Sequence, residues 1–192
     1  MNLPNKLTTL RVLLVPVFMI FMYTKSKYSF LIALIVFAVA SFTDMLDGKI
    51  ARKNNLVTDF GKFMDPLADK VLTTVAIIYL VKLGFCHEIV LCLVLIREFA
   101  VSGIRMVAAS RPGGGKVIAA GLMGKAKTVF QMIAIIVAYS DLALFSLGLI
   151  NQIFFGAVCT AVNFLMWIMA ALTVVSGMQY ILPNIDLVKN AK

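Results

Sequence analysis

Long apolar runs separated by short polar stretches dominate the chain. A hydrocarbon span needs about 20 mostly apolar residues. Six stretches meet or approach that length: 9–24, 29–50, 65–83, 88–110, 125–146 and 152–182. The last is long enough to tilt or to project beyond the bilayer. The sequence has no internal repeat, no low-complexity tract and no coiled-coil heptad. The pattern therefore predicts an all-α integral membrane protein, a single domain over residues 1–192 with six transmembrane helices. Ahead of the first run, Asn2, Pro4, Asn5 and Lys6 suit a short interfacial segment leading into it.

Composition narrows the class. Of 192 residues, 61% are hydrophobic and 14% charged, too few polar groups to cover a soluble domain of this length. A formal charge of +9 would suit a nucleic-acid binder, but here the cations flank apolar runs, as in proteins facing anionic lipid. Membrane lipids, and not nucleic acid, are the expected partners. Lys6, Arg11, Lys49, Arg52, Lys53, Lys62, Lys70, Arg97, Arg105, Arg111, Lys116, Lys125, Lys127, Lys189 and Lys192 fall on one side of the six spans. Only Lys25, Lys27 and Lys82 fall on the other. Fifteen against three predicts that both termini face the cytoplasm. The first run is followed by no small-residue cleavage site, so it is expected to be retained. Cys86, Cys92 and Cys159 lack CxxC spacing and read as packing residues.

The candidate chemistry lies where the second and third runs meet. Asp44 and Asp47 are three residues apart, and positions 44, 47, 48 and 51 share one face of a helix. Asp65 and Asp69, four apart, share a face of the next. A short turn over 53–64 brings the four carboxylates to the cytosolic edge of the membrane. Helix-end charges paired with Lys49, Arg52, Lys62 and Lys70 would be the ordinary explanation for any one of them. Four at this spacing repel one another and lose solvation unless a cation binds. Hard oxygen donors without His or Cys point to Mg²⁺ or Mn²⁺, with Ca²⁺ an alternative, rather than zinc. Because Mg²⁺ usually shares its shell with phosphate oxygens, a phosphorylated substrate follows; two ions would clamp a diphosphate. Gly48, directly after Asp47, suits close approach of a ligand to backbone. Pro66 fits either a first helical turn capped by Asp65 or a kink in a helix begun near Thr58.

Written out, these residues run Asp44-x-x-Asp47-Gly48-x-x-Ala51-Arg52-x8-Gly61-x3-Asp65-x3-Asp69. The string closely resembles the motif of the CDP-alcohol phosphatidyltransferase family, with every fixed position present. The resemblance implies six transmembrane helices, usually in a homodimer, around a polar cavity open to the cytosol. It implies that Asp44, Asp47 and Asp65 form a two-metal site for the diphosphate of a CDP-alcohol, with Asp69 sharing the metal and acting as general base. It also implies that Gly48, Arg52 and Thr58 contact the CDP moiety. Residues 2–8, Arg11, the stretch 61–70, Arg97-Glu98-Phe99 and Gly124-Lys125-x-Lys127-Thr128 look like the bacterial branch that forms phosphatidylglycerophosphate. The expected reaction is then CDP-diacylglycerol plus sn-glycerol 3-phosphate giving phosphatidylglycerophosphate and CMP, in the bacterial cytoplasmic membrane.

An acceptor phosphate needs its own cationic pocket. Arg97 and Arg105, eight residues apart, project from one face of the fourth span. Lys125 and Lys127 open the fifth from the same side, although a positive-inside flank would explain either lysine. Glu98 suits orienting one of these cations. Asn5, Thr8 and Arg11 are within reach of the nucleotide from the start of the first span. His87 falls on the outer side, too far from the aspartates to serve as their base, and Trp167 reads as a lipid-facing or packing residue. Two other readings remain: a sister enzyme, such as a cardiolipin synthase using phosphatidylglycerol as acceptor, and an ion or metal transporter. A transporter would carry acidic residues near the midplane of several spans, whereas here they gather at one interface.

Overall fold

The structure, a computed structural model, describes residues 3–24, 26–54, 59–109 and 122–184, with side chains described outside 3–8, 44–69 and 107–109. Among these residues it is entirely helical: α1 (Leu3–Tyr23), α2 (Ser29–Asn54), α3 (Asp59–Lys82), α4 (Glu88–Ala109), α5 (Leu122–Ser146) and α6 (Gln152–Ile181), closed by a 3-10 turn over Leu182–Asn184. Each helix packs on two main neighbours, in the cyclic order α1–α2–α5–α6–α4–α3.

Helix boundaries follow local chemistry. The α3–α4 and α5–α6 turns each contain a glycine at positive φ, Gly84 (82°) and Gly148 (74°). In the first, Phe85 N–H donates to Leu80 O and Gly84 N–H to Val81 O. In the second, Leu149 and Gly148 donate to Leu144 and Phe145 in the same way. Such paired bonds satisfy the last carbonyls of a helix, and the left-handed backbone they need favours glycine. Asn151 caps α6, its side-chain oxygen accepting from Phe154 N–H.

Three helices begin earlier than their apolar runs, α5 by three residues and α1 and α3 by six. α1 is continuous from Leu3, so residues 3–7 extend the first helix rather than forming a separate segment before it. Pro4 sits in its first turn, where the missing N–H costs nothing. α3 starts at Asp59, which places Pro66 inside the helix, where it removes a bond to the carbonyl four residues back. In α1 and α3 helical hydrogen bonding runs on into polar sequence.

One core joins all six helices. Phe18, Phe37, Ile77, Leu80, Ile135, Tyr139, Met166 and Met169 are fully buried. Ala33, Ala40, Ala76, Ala134 and Ala138, also fully buried, let the helix backbones approach closely. Tyr139 lies edge-on to Phe18 at 5.5 Å and donates its hydroxyl to Ala76 O at 2.9 Å, which satisfies the one polar atom of a buried ring.

Large apolar side chains also cover the outside, with Ile153 83%, Phe99 69% and Phe164 68% exposed. By length and composition, Leu122–Ser146 and Gln152–Asn184 are able to cross a membrane, and shorter apolar segments cover Thr9–Tyr23 and Ser29–Thr43. Together with the hydropathy of the chain, this is the surface of a membrane protein. The cysteines are free. Cys86 is buried in the α3–α4 turn, which pushes its thiol up to about 11 and leaves it unreactive.

Candidate active site

α2 runs unbroken through positions 44, 47, 48 and 52, and α3 through 65 and 69. The helical spacing assumed for both aspartate pairs therefore holds. Four residues, 55–58, link Asn54 to Asp59, so the two helix ends are no more than about 19 Å apart. The side chains of Asp44, Asp47, Arg52, Asp65, Asp69, Asn5 and Thr8 lie outside the described residues, as does all of Thr58, and so does the glycine-rich stretch 113–115. Among the described side chains, no cluster of His, Cys, Asp and Glu is suited to a metal.

Directly beside these positions is a cavity of about 270 Å³ whose wall includes Arg11, Lys70, Arg97, Glu98, Arg105 and Lys127. Ser41 lines it from α2, three residues before Asp44, and Lys70 follows Asp69 in the chain. The cavity thus lies within one helical turn of an aspartate on each helix. Among the described residues, five cations face one carboxylate, which makes this part of the wall strongly positive.

Glu98 organises much of this wall. Its Oε1 accepts from Arg97 Nη1 at 3.1 Å and from Lys127 Nζ. Its Oε2 lies 3.3 Å from Lys70 Nζ. Lys70 also donates to Ser102 Oγ and, at 3.4 Å, to the Glu98 carbonyl, which accepts from the Ser102 hydroxyl at 2.6 Å. Lys127 is only 3% exposed; an ammonium buried so deeply needs a counter-charge, and Glu98 supplies it.

Arg97 is held by shape as well as charge. A Cβ built on Gly124 of α5 would meet Arg97 Nη2 at 3.2 Å, and one on Gly177 of α6 would meet its Cγ at 3.1 Å. The side chain therefore threads a slot that two glycines keep open. Arg105 is more exposed. Its Nε donates to the Tyr180 hydroxyl at 3.2 Å, and its guanidinium lies 5.3 Å from the centre of that ring.

Of the four cations expected around the acceptor, the structure brings three together: Arg97, Arg105 and Lys127. Lys125 is exposed and stands apart from the cavity wall. Two residues apart on one helix, Lys125 and Lys127 point some 200° away from each other, so only one can face inward. Arg11 is buried on the same wall. His87 lies in the α3–α4 turn with its ring 5.9 Å from Trp167. Sequence reasoning treated Lys70 as a helix-end charge and passed over Ser102 and Tyr180. Their contacts span 28, 32 and 75 residues and leave no local signature.

The model of the CDP-alcohol phosphatidyltransferase family matches residues 1–179. Several relatives carry the name CDP-diacylglycerol–glycerol-3-phosphate 3-phosphatidyltransferase. One from Bacillus subtilis (strain 168) is 38% identical over 99% of this chain and 98% of its own. One from Rickettsia bellii (strain RML369-C) is 40% identical over 93% of each chain, and one from Salmonella paratyphi A is 32% identical over 88% of this chain and 94% of its own. With the aspartate string on α2 and α3 and the match running through most of α6, the chain belongs to the CDP-alcohol phosphatidyltransferase family.

Proposed function

We propose that this chain is a transferase of phospholipid biosynthesis that moves the phosphatidyl group of CDP-diacylglycerol to sn-glycerol 3-phosphate, giving phosphatidylglycerophosphate and CMP. The observation that carries this reading is the juxtaposition of two features: the aspartate positions of α2 and α3, and a cation-lined cavity one turn away. An acceptor bearing a phosphate dianion finds there the charge it needs. The cavity, at about 270 Å³, lies near the small end of ligand pockets, which begin at about 300 Å³, and suits a compact polar acceptor. The names of the relatives agree with that acceptor.

The residues divide the work. Asp44, Asp47, Asp65 and Asp69 are a hard, all-oxygen donor set on two adjoining helix ends, which fits two divalent ions, Mg²⁺ or Mn²⁺. When bound, these ions would supply charge neutralisation to the diphosphate. Arg52, Gly48 and Thr58, with Asn5 and Thr8 of the first helix, hold the CDP moiety. Arg97, Arg105 and Lys127 hold the acceptor phosphate, and Lys125 attracts it from outside the wall. The Asp69 carboxylate takes the proton of the acceptor hydroxyl as that oxygen bonds to the phosphatidyl phosphorus. The bond from phosphorus to the CMP oxygen breaks, and CMP leaves with the electron pair.

The chain acts as one domain over residues 1–192 and as a homodimer. Its six helices all span the bacterial cytoplasmic membrane, with both termini and the cavity facing the cytoplasm; the cation asymmetry supports that orientation. An acceptor panel tests the reading, using the purified full-length protein, CDP-diacylglycerol and Mg²⁺ or Mn²⁺, with the lipid product identified. Phosphatidylglycerophosphate from glycerol 3-phosphate is expected. Release of CMP with phosphatidylglycerol but not with glycerol 3-phosphate would make the chain a cardiolipin-forming sister enzyme instead.

A further inference from the structure

We infer that Glu98 is a positioning residue that assembles the acceptor-phosphate wall and ties it to the helix bearing Asp69; the inference rests on the acceptor reading above. Four observations converge. One carboxylate receives cations from three helices: Lys70 of α3, Arg97 of its own α4 and Lys127 of α5. Among the described residues, three cations around one carboxylate leave a surplus of two positive charges, which matches a phosphate monoester dianion. Arg97 reaches the carboxylate through the slot between Gly124 and Gly177, so its direction is set on both sides. Lys70, the residue after Asp69, is held to α4 by Glu98 and by Ser102.

Without the carboxylate, three like charges crowd one another, and each side chain swings toward water or substrate as it can. The phosphate then meets a mobile cluster in place of a preformed wall and must fix the side chains as it binds. Lys70 loses one of its three contacts on α4, and the α3 segment carrying Asp69 loses part of its register against the acceptor. Glu98 touches cations rather than the reacting atoms. Its contribution therefore falls mainly on acceptor affinity and secondarily on turnover, with little effect on the CDP-lipid.

Steady-state kinetics of the full chain with CDP-diacylglycerol, glycerol 3-phosphate and a divalent cation test this, on wild type, Glu98→Gln, Glu98→Asp, Ser102→Ala and Arg97→Lys. Glu98→Gln is expected to raise KM for glycerol 3-phosphate about tenfold, the effect of losing charge-assisted hydrogen bonds, and to lower kcat less. KM for CDP-diacylglycerol should stay within about twofold. Glu98→Asp, which keeps the charge, should recover part of the loss, and Ser102→Ala should raise the acceptor KM a few-fold. An unchanged acceptor KM in Glu98→Gln, beside a raised one in Arg97→Lys, would overturn the role of Glu98 and leave the acceptor pocket standing. An unchanged KM in both variants would overturn the pocket itself. Equal losses for both substrates in Glu98→Gln would mark Glu98 as a general structural support and also overturn the inference. If Glu98→Gln does not accumulate in the membrane, Ser102→Ala decides, and an unchanged acceptor KM there counts against the proposal.

Discussion

Two carboxylates on successive helices keep opposite company. Glu98, on α4, meets three cations from three helices. Asp141, on α5 near the α5–α6 turn, is 3% exposed, and neither of its oxygens has a hydrogen-bond partner among the described residues. Around Asp141 the bundle is held by aromatic packing, with Phe145 stacked on Phe155 and Phe85 edge-on to Phe155. Around Glu98 it is held by charge. The same side-chain chemistry is thus costly at one end and cooperative at the other. The lesson is where the protein concentrates its polar groups: in the half beside Asp44, Asp47, Asp65 and Asp69.

Substitutions test that contrast, and the largest effect belongs to the aspartates. Asp69→Asn should lower turnover by about 10²- to 10⁴-fold, the usual contribution of a general base, while equilibrium binding of CDP-diacylglycerol is kept. Retained turnover would remove the base from the scheme. Next comes Arg105→Ala, which deletes a guanidinium from the cavity wall and should raise KM for glycerol 3-phosphate about tenfold with CDP-diacylglycerol kinetics unaltered.

Gly177→Ala sharpens the comparison by separating stability from function. Alanine favours a helix interior over glycine by about 1 kcal/mol, which offsets crowding at Arg97 Cγ, so thermal stability in detergent should change little. The new methyl group crowds Arg97, and the acceptor KM should still increase a few-fold. A stable protein with an unchanged KM would show that the slot does not position Arg97.

The smallest effects belong to Asp141 and Lys125. Asp141→Asn should leave activity intact and change stability by about 1 kcal/mol at most, in the stabilising direction, because the carboxylate has no hydrogen-bond partner among the described residues. A large loss of activity there would break the division between the two ends. Lys125→Ala, at an exposed position, should stay within about twofold of wild-type kinetics.

Much of this organisation was legible in the sequence. Hydropathy located all six helices, because segments that must bury their backbone polar groups in an apolar setting are long and uniformly apolar. It misplaced the starts of α1 and α3, where the helix continues through Pro4 and Asn5 or through Lys62 and Asp65. The helical repeat correctly put Arg97 and Arg105 on one wall. The same rule separates Lys127 from Lys125, which charge alone had grouped. The ties from Lys70 to Glu98 and Ser102 and the glycine slot around Arg97 were not legible. They depend on which helices are neighbours, and no local pattern encodes the cyclic order α1–α2–α5–α6–α4–α3.

The central claim is that a cationic cavity beside the aspartate helices selects an acceptor by its phosphate. The ratio of kcat/KM for glycerol 3-phosphate to that for glycerol, with CDP-diacylglycerol as donor, measures this most directly. A buried, multiply contacted phosphate should give wild type a ratio of about a thousand or more, as for sites built to pair a polar group. The ratio should fall by about tenfold or more in Arg97→Lys. Comparable efficiency with the two acceptors, or a ratio untouched by Arg97→Lys, would contradict the claim.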